Sequence, residues 1–403
     1  MKFNKLSQLF LVSIIGLTGA TLLTSCAYVT IDYVFVANSA GSGSGSSGEI
    51  QTFDADSQTG ALRSGAATVS SGGDNPIAMA ATADYSHLYV INQISNNVVH
   101  FEIAGNGVLT QKDVVTTSAT PIAVAVNTAG TYLYVVSGPA PSVLTEYSLS
   151  SGTIGSVAAQ VKLTLSGYSG DTIVPTGVAA LANNGAVYVS AYDRSAYNPG
   201  GTTTSAANPG WVFGYTVGSG GSLALSSNSP YKAGVKPSAI VSDPTNRFVY
   251  VTDFASNQLI GYTIQSGSTL DFLINGPFRT GSEPNAIVID PRGKYIYISN
   301  ALDSTVSAYV IDLTTGTPSA AVNVTGSQTN STDTTPVAIL VDPALGRFVY
   351  TANNLGNSVS GFRLDPNTGA LTPTQTTPYP TGAKPTALAA VPHGNHSIQT
   401  TSP

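Results

Sequence analysis

Short apolar stretches alternate with clusters of Gly, Asn, Asp, Ser and Thr along most of this chain. Each repeating unit starts with Pro-x-Ala or a close variant, runs through an apolar stretch and a turn, and continues in a β-branched and aromatic stretch such as Phe248-Val249-Tyr250-Val251-Thr252. These residue types suit the pleated, packed surface of a sheet. A third strand and a more polar outer strand complete the unit, and no segment shows sustained helical periodicity. The pattern predicts an all-β chain.

The units recur roughly every 45 to 60 residues, which is the spacing of the blades of a β-propeller. Seven prolines open them: Pro76, Pro121, Pro175, Pro237, Pro284, Pro336 and Pro385. The first unit has no such opening strand and begins at Tyr33, whereas the strand over residues 385–391 has no unit of its own. A C-terminal strand that completes the first blade resolves this mismatch and closes the ring. We therefore predict one seven-bladed β-propeller over residues 33–391, followed by a tail over residues 392–403.

The N-terminus carries the features of an export signal. Lys2 and Lys5 form a basic start, and an apolar run follows from Leu9 to Leu23. No second apolar run is long enough to span a bilayer.

The apolar run ends in Leu23-Thr24-Ser25-Cys26, which resembles the lipobox of bacterial lipoproteins. The resemblance implies that residues 1–25 are a signal peptide, that Cys26 is lipidated, and that residues 26–32 hold the lipidated cysteine and a short tether. The alternative is an ordinary signal peptide followed by a chance cysteine. Cys26 is the one cysteine of the chain, and a lone thiol is unusual in an exported protein. Ala27 resembles the outer-membrane sorting pattern, so we expect an envelope protein anchored in the outer membrane, facing the periplasm or the cell surface.

The charge balance argues against a nucleic-acid partner. The chain carries 15 Lys and Arg against 21 Asp and Glu, which gives a net charge of −6, and two of the lysines lie in the leader. A negative chain without a basic cluster repels a phosphate backbone. The hydrophobic content of 42% is enough for a sizeable core, which excludes a charge-rich disordered chain.

The second strands carry a core that resembles the Tyr-Val-Thr-Asn repeat, as in Tyr250-Val251-Thr252-Asp253 and Tyr297-Ile298-Ser299-Asn300. This resembles the surface-layer and lactonase-like (6-phosphogluconolactonase-like) seven-bladed propellers, and the resemblance implies hydrolysis of a sugar lactone. Such lactonases commonly place histidines just after the blade-opening proline. Here those positions hold small residues: Ala78, Ala123, Gly177, Ala239, Ala286, Ala338 and Ala387. The four histidines, His87, His100, His393 and His396, lie elsewhere.

The candidate site lies at one mouth of the central channel, where loops enter the innermost strands and leave the second strands. Lys236 and Glu283 precede the opening prolines of neighbouring blades, and Lys384 precedes the last one. We predict Glu283 and Lys236 as an acid/base or ligand-orienting pair and Lys384 as a ligand-binding cation. A rim salt bridge or solvated charges are the alternative. The Asn and Asp residues that recur in these loops are predicted to shape turns.

The fourth blade departs from the repeat through a long loop that begins with Tyr192-Asp193-Arg194 and ends near Trp211. Long loops are often functional, and two tyrosines, an arginine and an acid suit the binding of a sugar or peptide. We predict Tyr192, Asp193 and Arg194 as ligand-binding residues, with a decorative insertion as the alternative. Trp211 starts a strand and is predicted to be packed.

Two functions remain open on this basis. The first is a monomeric binding or scaffold module that its lipid holds at the membrane, with a glycan, a sugar lactone or an envelope protein as partner. The second is a lactone hydrolase at the channel mouth, with Glu283 polarising water or the ring oxygen. The motifs of metal, nucleotide and nucleophile sites are not matched, so no cofactor or metal is predicted.

Overall fold

The computed structural model of the protein describes residues 28–39, 47–165, 173–195 and 209–393, and these form seven antiparallel sheets of four or five strands. Each sheet is one blade of a propeller. The leader, Cys26 and His396 lie outside the described residues. None of the described residues forms a helix long and apolar enough to cross a membrane.

The first four blades follow one another along the chain. Blade 1 consists of β1 (Thr30–Asn38), β2 (Glu49–Asp56), β3 (Leu62–Ser64), β4 (Val69–Ser70) and the last strand of the chain, β33 (Pro385–Pro392). Blade 2 consists of β5 (Pro76–Ala81), β6 (His87–Asn92), β7 (Asn97–Ile103) and β8 (Leu109–Thr116). Blade 3 consists of β9 (Pro121–Val126), β10 (Tyr132–Ser137), β11 (Val143–Ser150) and β12 (Thr153–Lys162). Blade 4 consists of β13 (Ile173–Ala180), β14 (Ala186–Asp193), β15 (Gly210–Val217), β16 (Leu223–Leu225) and β17 (Tyr231–Lys232).

The last three blades have the same layout, with the outer strand in two short pieces. Blade 5 consists of β18 (Pro237–Ser242), β19 (Phe248–Asp253), β20 (Gln258–Ile264), β21 (Leu270–Phe272) and β22 (Phe278–Arg279). Blade 6 consists of β23 (Pro284–Ile289), β24 (Tyr295–Asn300), β25 (Thr305–Ile311), β26 (Pro318–Ala320) and β27 (Thr329–Ser331). Blade 7 consists of β28 (Pro336–Val341), β29 (Phe348–Asn353), β30 (Ser358–Leu364), β31 (Leu371–Pro373) and β32 (Tyr379–Pro380). Two short 3₁₀ turns, Ser219–Gly221 and Ser266–Ser268, lie in hairpins before outer strands.

The C-terminal strand closes the ring, as predicted. Strand β33 pairs with β1 in antiparallel register, from Asp32 opposite Pro392 to Asn38 opposite Pro385. It is therefore the innermost strand of blade 1, and it contacts the innermost strands of blades 2 and 7 on either side. The predicted seven-bladed, all-β fold is confirmed.

The propeller is slightly longer than the sequence pattern indicates. Strand β1 starts at Thr30, so residues 30–32, which were assigned to the tether, belong to blade 1. Ile31 and Asp32 are buried, because this part of β1 packs against blade 7. Strand β33 ends at Pro392, one residue beyond the predicted end.

The core lies between adjacent blades. At the junction of blades 1 and 2, Phe35 and Ile50 pack in one buried cluster with Leu88 and Phe101. Because each sheet buries its apolar side chains against its neighbours, the blades stabilise one another around the ring.

The tyrosines of the second strands hold neighbouring blades together. Each of five buried tyrosines donates its hydroxyl to a hairpin carbonyl of the next blade, at oxygen–oxygen distances of 2.6–2.9 Å. The donor–acceptor pairs are Tyr89 to Gly152, Tyr188 to Ser268, Tyr250 to Gly316, Tyr297 to Gly369 and Tyr350 to Gly60. A buried tyrosine usually needs a partner for its hydroxyl, and here that need joins one blade to the next. The tyrosines of the Tyr-Val-Thr-Asn repeat are therefore structural.

Candidate functional site

The blade-opening prolines and the ends of the second strands lie at the same face of the ring, which we call the mouth. The register pairs Pro76 with Asn92, Pro237 with Asp253, Pro284 with Asn300, Pro336 with Asn353 and Pro385 with Asn38. The register shifts just after each of these pairs, so every one of these blades has a bulge at this position. A β-bulge changes the direction in which a side chain points, and bulges are frequent next to active sites.

The recurring Asn side chains shape this face, as predicted. Asn257 accepts a hydrogen bond from the backbone N–H of Glu283 in the next blade, at 2.8 Å, and Asn357 accepts one from Lys384 at 2.8 Å. Both asparagines have left-handed backbones, with φ values of 55° and 51°. Asn tolerates this conformation better than most residues do. These loops therefore fix the backbone that carries the predicted site residues.

Lys236 lies among aromatic rings at the mouth. Its ammonium nitrogen is 4.4 Å from the centroid of the Phe254 ring and 5.9 Å from that of Tyr192. Both distances are in the range of cation–π attraction. The backbone of Lys236 is held by Asp253, whose carboxylate accepts its N–H at 2.9 Å. The structure thus brings Lys236 of blade 5 together with Tyr192 of blade 4.

Glu283 and Lys384 are both half-buried and both have left-handed backbones, with φ values of 55° and 53°. Asn75 and Thr335, which precede the opening prolines of blades 2 and 7, share this conformation with φ values of 57° and 60°, so it belongs to the geometry of the repeated loop. Among the described residues, the Glu283 carboxylate has no cation within the ion-pair distance of 4.0 Å, so Glu283 and Lys236 form no direct ion pair.

The predicted ligand-binding loop of blade 4 is described only at its start. Tyr192 and Asp193 end strand β14, and Arg194 follows in an exposed turn. Asp193 is buried, and its carboxylate accepts hydrogen bonds from the backbone N–H and the hydroxyl of Ser195, at 2.9 and 2.8 Å. Asp193 therefore shapes the turn. The rest of the loop, residues 196–208, lies outside the described residues.

Phe254 is a mouth residue that the sequence reasoning missed. It follows the second strand of blade 5 at the position held by Gln93, Ala301 and Asn354 in blades 2, 6 and 7. An aromatic residue in place of small or polar ones was the signal that could have identified it. Trp211 is half-buried and packs with the core between blades 3 and 4, in agreement with the prediction.

Nothing at the described part of the mouth is arranged to hold a metal. No three His, Cys, Asp or Glu side chains converge as a metal site anywhere in the described ranges. The described mouth therefore offers ammonium groups, aromatic rings and several half-buried carboxylates, among them Glu283. The ammonium groups can bind an anion, and a carboxylate can polarise a bound molecule.

These features define a seven-bladed β-propeller with a polar, aromatic-flanked mouth. The chain belongs to the lactonase, 7-bladed beta-propeller family, whose family model matches residues 34–173 and 222–398. The unmatched residues between these ranges include the long loop of blade 4, so that loop departs from the family pattern. No curated protein sequence gives a significant match.

Solved structures of this fold have low sequence identity to the chain. The periplasmic gluconolactonase PpgL of Pseudomonas aeruginosa is 18% identical with a TM-score of 0.72, over 90% of this chain and 99% of that one. A 6-phosphogluconolactonase-like protein of Bacteroides uniformis is 16% identical with a TM-score of 0.70, over 90% and 99% of the two chains. The hydrazine synthase of Kuenenia stuttgartiensis is 17% identical with a TM-score of 0.55, over 79% and 92%. These similarities show the shared fold.

Proposed function

We propose that the chain is a binding propeller of the cell envelope, and that its mouth binds an acidic sugar or glycan through Lys236. The observation that carries the proposal is the position of the Lys236 ammonium near two rings, 4.4 Å from the centroid of Phe254 and 5.9 Å from that of Tyr192. A carboxylate is the natural partner of an ammonium group in such a setting.

The aromatic rings prepare Lys236 for binding. Cation–π contacts are worth only about 0.5–1 kcal/mol at exposed sites, so the ammonium can engage a carboxylate while the rings still restrict its side chain. A side chain that is restricted before binding loses less entropy when the ligand arrives. Lys384, on the same face, adds a second positive charge, and Arg194 adds a third from blade 4.

Lactone hydrolysis is the second candidate, because the family is that of the lactonases and because Glu283 supplies a half-buried carboxylate at the mouth. In this case Glu283 would accept a proton from water as the water oxygen attacks the lactone carbonyl carbon. The ring C–O bond would then break, and the proton would pass to the leaving oxygen.

Binding can be measured by titrating gluconate and glucuronate into soluble protein that starts at Ala27. We expect saturable binding, with glucose much weaker, and Lys236→Met should weaken acid binding by about 10-fold or more, since hydrogen bonds to charged groups contribute roughly 1.5–3 kcal/mol. Lys294→Met is the matched control, because Lys294 lies in the turn at the start of β24, at the opposite face. Equal affinities of the Lys236 and Lys294 variants would refute the proposal.

A hydrolysis assay on the same soluble protein tests the lactonase alternative. Hydrolysis of glucono-lactone above the uncatalysed rate, lost in Glu283→Gln, would make the mouth a catalytic site. Binding of gluconate or glucuronate without hydrolysis of glucono-lactone would support the binding function instead.

We also propose that the lipid on Cys26 holds the propeller with its mouth directed away from the membrane. Strand β33 starts at the mouth, and β1 runs antiparallel to it, so Tyr28 and Thr30 lie at the opposite face. Three residues, Ala27, Tyr28 and Val29, separate Cys26 from Thr30, so the anchor is within a short reach of that face.

Replacing the anchor tests this part of the proposal. We expect Cys26→Ser to move the protein from the membrane fraction to the soluble fraction and to abolish incorporation of labelled fatty acid, because the acylated sulfur is lost. Ser25→Ala, which keeps the cysteine, should remain in the membrane fraction. A Cys26→Ser protein that stays with the membrane would contradict lipid anchoring.

A further inference from the structure

A second candidate site lies between blades 2 and 3, on the face opposite the mouth. A cavity of about 320 Å³ is lined there by hydroxyl groups, a carboxylate and an imidazole, from Thr82, Asp84, His87, Thr131, Ser151 and others. It is formed by the turns between the first two strands of both blades and the hairpin before β12. It shares no residue with the mouth.

Behind the cavity, three side chains form a hydrogen-bonded chain across blade 2. Nδ1 of His87 lies 3.0 Å from Nε2 of His100, and Nδ1 of His100 lies 2.9 Å from Oδ2 of Asp113. His87 is on β6, His100 on β7 and Asp113 on β8, so the chain runs from the cavity to the outer strand. His100 is buried, and its ring stacks on Tyr89 with 5.2 Å between centroids.

The backbone of blade 2 is bent to make this contact. The pairing of β7 and β8 shifts between Val99 and Phe101, so that Lys112 and Asp113 together face His100. A bulge of this kind turns a side chain that would otherwise point elsewhere, and here it aims the Asp113 carboxylate at the imidazole.

The two histidines are not part of the propeller repeat. The register that places His100 opposite Tyr89 places Gly214, Gly261 and Gly361 opposite the tyrosines of blades 4, 5 and 7. The position of His87 holds an aromatic ring in most other blades: Tyr33, Tyr132, Phe248, Tyr295 and Phe348. Five of the other six blades have an aromatic ring at this position and blade 4 has Ala186, so the imidazole of His87 keeps a ring at the position and adds a base.

The hydrogen bonds assign the protons. A carboxylate only accepts, so Asp113 requires the N–H of His100 at Nδ1, which leaves Nε2 of His100 as an acceptor. Nδ1 of His87 then donates to it, and Nε2 of His87 keeps its lone pair. Burial lowers the pKa of His100, which favours the neutral ring that this arrangement needs. In this arrangement His87 is a base whose orientation is fixed by His100, and the Asp113 carboxylate in turn fixes the orientation of His100.

From this geometry we propose that the cavity is a hydrolytic site in which His87 is the general base, His100 and Asp113 are its positioning residues, and the substrate is a small, uncharged, hydroxylated ester. The Asp84 carboxylate disfavours anionic ligands, and the hydroxyl groups of Thr131 and Ser151 suit a ligand with hydroxyls. Thr131 already accepts a hydrogen bond from Asn127 at 2.9 Å, so its own proton is available for the carbonyl oxygen of a substrate.

The proposed step uses only water as co-reactant. Nε2 of His87 accepts a proton from water as the water oxygen bonds to the ester carbonyl carbon. The C–O bond to the alcohol then breaks, and the departing oxygen takes the proton from His87. The products are a carboxylic acid and an alcohol.

Saturation kinetics with 4-nitrophenyl acetate test the proposal on the soluble protein that starts at Ala27. We expect saturable hydrolysis, a loss of about 100-fold in kcat/KM for His87→Gln, and no change for the control His393→Gln, which removes an imidazole outside the cavity. Asp113→Asn should lower kcat with little effect on KM and shift the pH profile, because the tautomer of His100 is no longer fixed. Hydrolysis that does not saturate, or that is equal in the His87 and His393 variants, would overturn the proposal.

A measurement on the unmodified protein covers the case in which a variant fails to fold. Nitrogen-15 NMR of the imidazole rings should show the proton on Nδ1 of both His87 and His100. A proton on Nε2 of His100 would break the assigned chain and refute the mechanism. The variant Lys294→Met, which changes a residue in the turn before β24 of blade 6, should leave this hydrolysis unchanged.

Discussion

Ending the chain after Lys384, which removes β33 (Pro385–Pro392), is expected to abolish cooperative folding. The innermost strand of blade 1 would be missing, and β1 would lose its partner over the whole register from Asp32 to Asn38. The buried side chains of Ala387, Ala389 and Val391 would also be lost. Because closure is what protects the strand edges of a propeller, a gap beside β1 exposes an apolar edge that aggregates.

The measurement is a thermal or urea unfolding curve together with the soluble yield. The matched control ends after His393, which removes only residues beyond the described part of the chain. We expect the control to unfold like the complete protein, whereas the chain that ends at Lys384 should be insoluble or lack a cooperative transition. A cooperative transition at the normal temperature in the shorter chain would show that blade 1 does not need β33.

Asp342→Ala is expected to destabilise the protein by about 3–5 kcal/mol, since each buried donor left without a partner costs roughly 1–3 kcal/mol. Oδ2 of Asp342 accepts from the backbone N–H groups of Leu345 and Gly346, at 2.8 and 3.1 Å. Its Oδ1 accepts from the N–H groups of Arg347 and Phe348. One buried carboxylate therefore organises the whole turn before β29.

The neighbouring Asp32 should behave in the opposite way. It is fully buried on β1, and burial together with the nearby Asp342 raises its pKa well above the usual value of 3.8. A carboxyl whose pKa is raised on folding holds a proton that the unfolded chain releases, so its effect on stability becomes unfavourable as the pH rises above about 4. Asp32→Asn removes the ionisable group and keeps the shape.

We therefore expect Asp32→Asn to be more stable than the natural protein at pH 8, by about 1–3 kcal/mol, and to be similar at pH 4. Urea unfolding at the two pH values measures both variants, and Asp342→Ala serves as the contrast because it should destabilise at either pH. An Asp32→Asn protein that is less stable at pH 8 would show that Asp32 is held ionised by a favourable partner.

The fold was predictable because its signal is local and repeated. The apolar stretch after each opening proline and the Tyr-containing second strand recur with little change, and a strand reveals itself by the residues it contains. Even the closure by β33 followed from the sequence, since seven opening strands and seven second strands that are out of phase can pair in only one simple way. The start of strand β1 did not follow from the local pattern, because the burial of Ile31 and Asp32 depends on blade 7.

The contacts between blades were not predictable in this way. Lys236 was identified by its place before a proline, but its contact with Tyr192 of blade 4 depends on how two blades stand beside each other. The sequence identified His87 and His100 only as histidines that lie away from the positions after the opening prolines. The register and the bulge opposite His100 join them to Asp113. Local sequence patterns specify the strands. Contacts between side chains that are distant in sequence depend on how the blades pack, and that packing forms only when the ring closes.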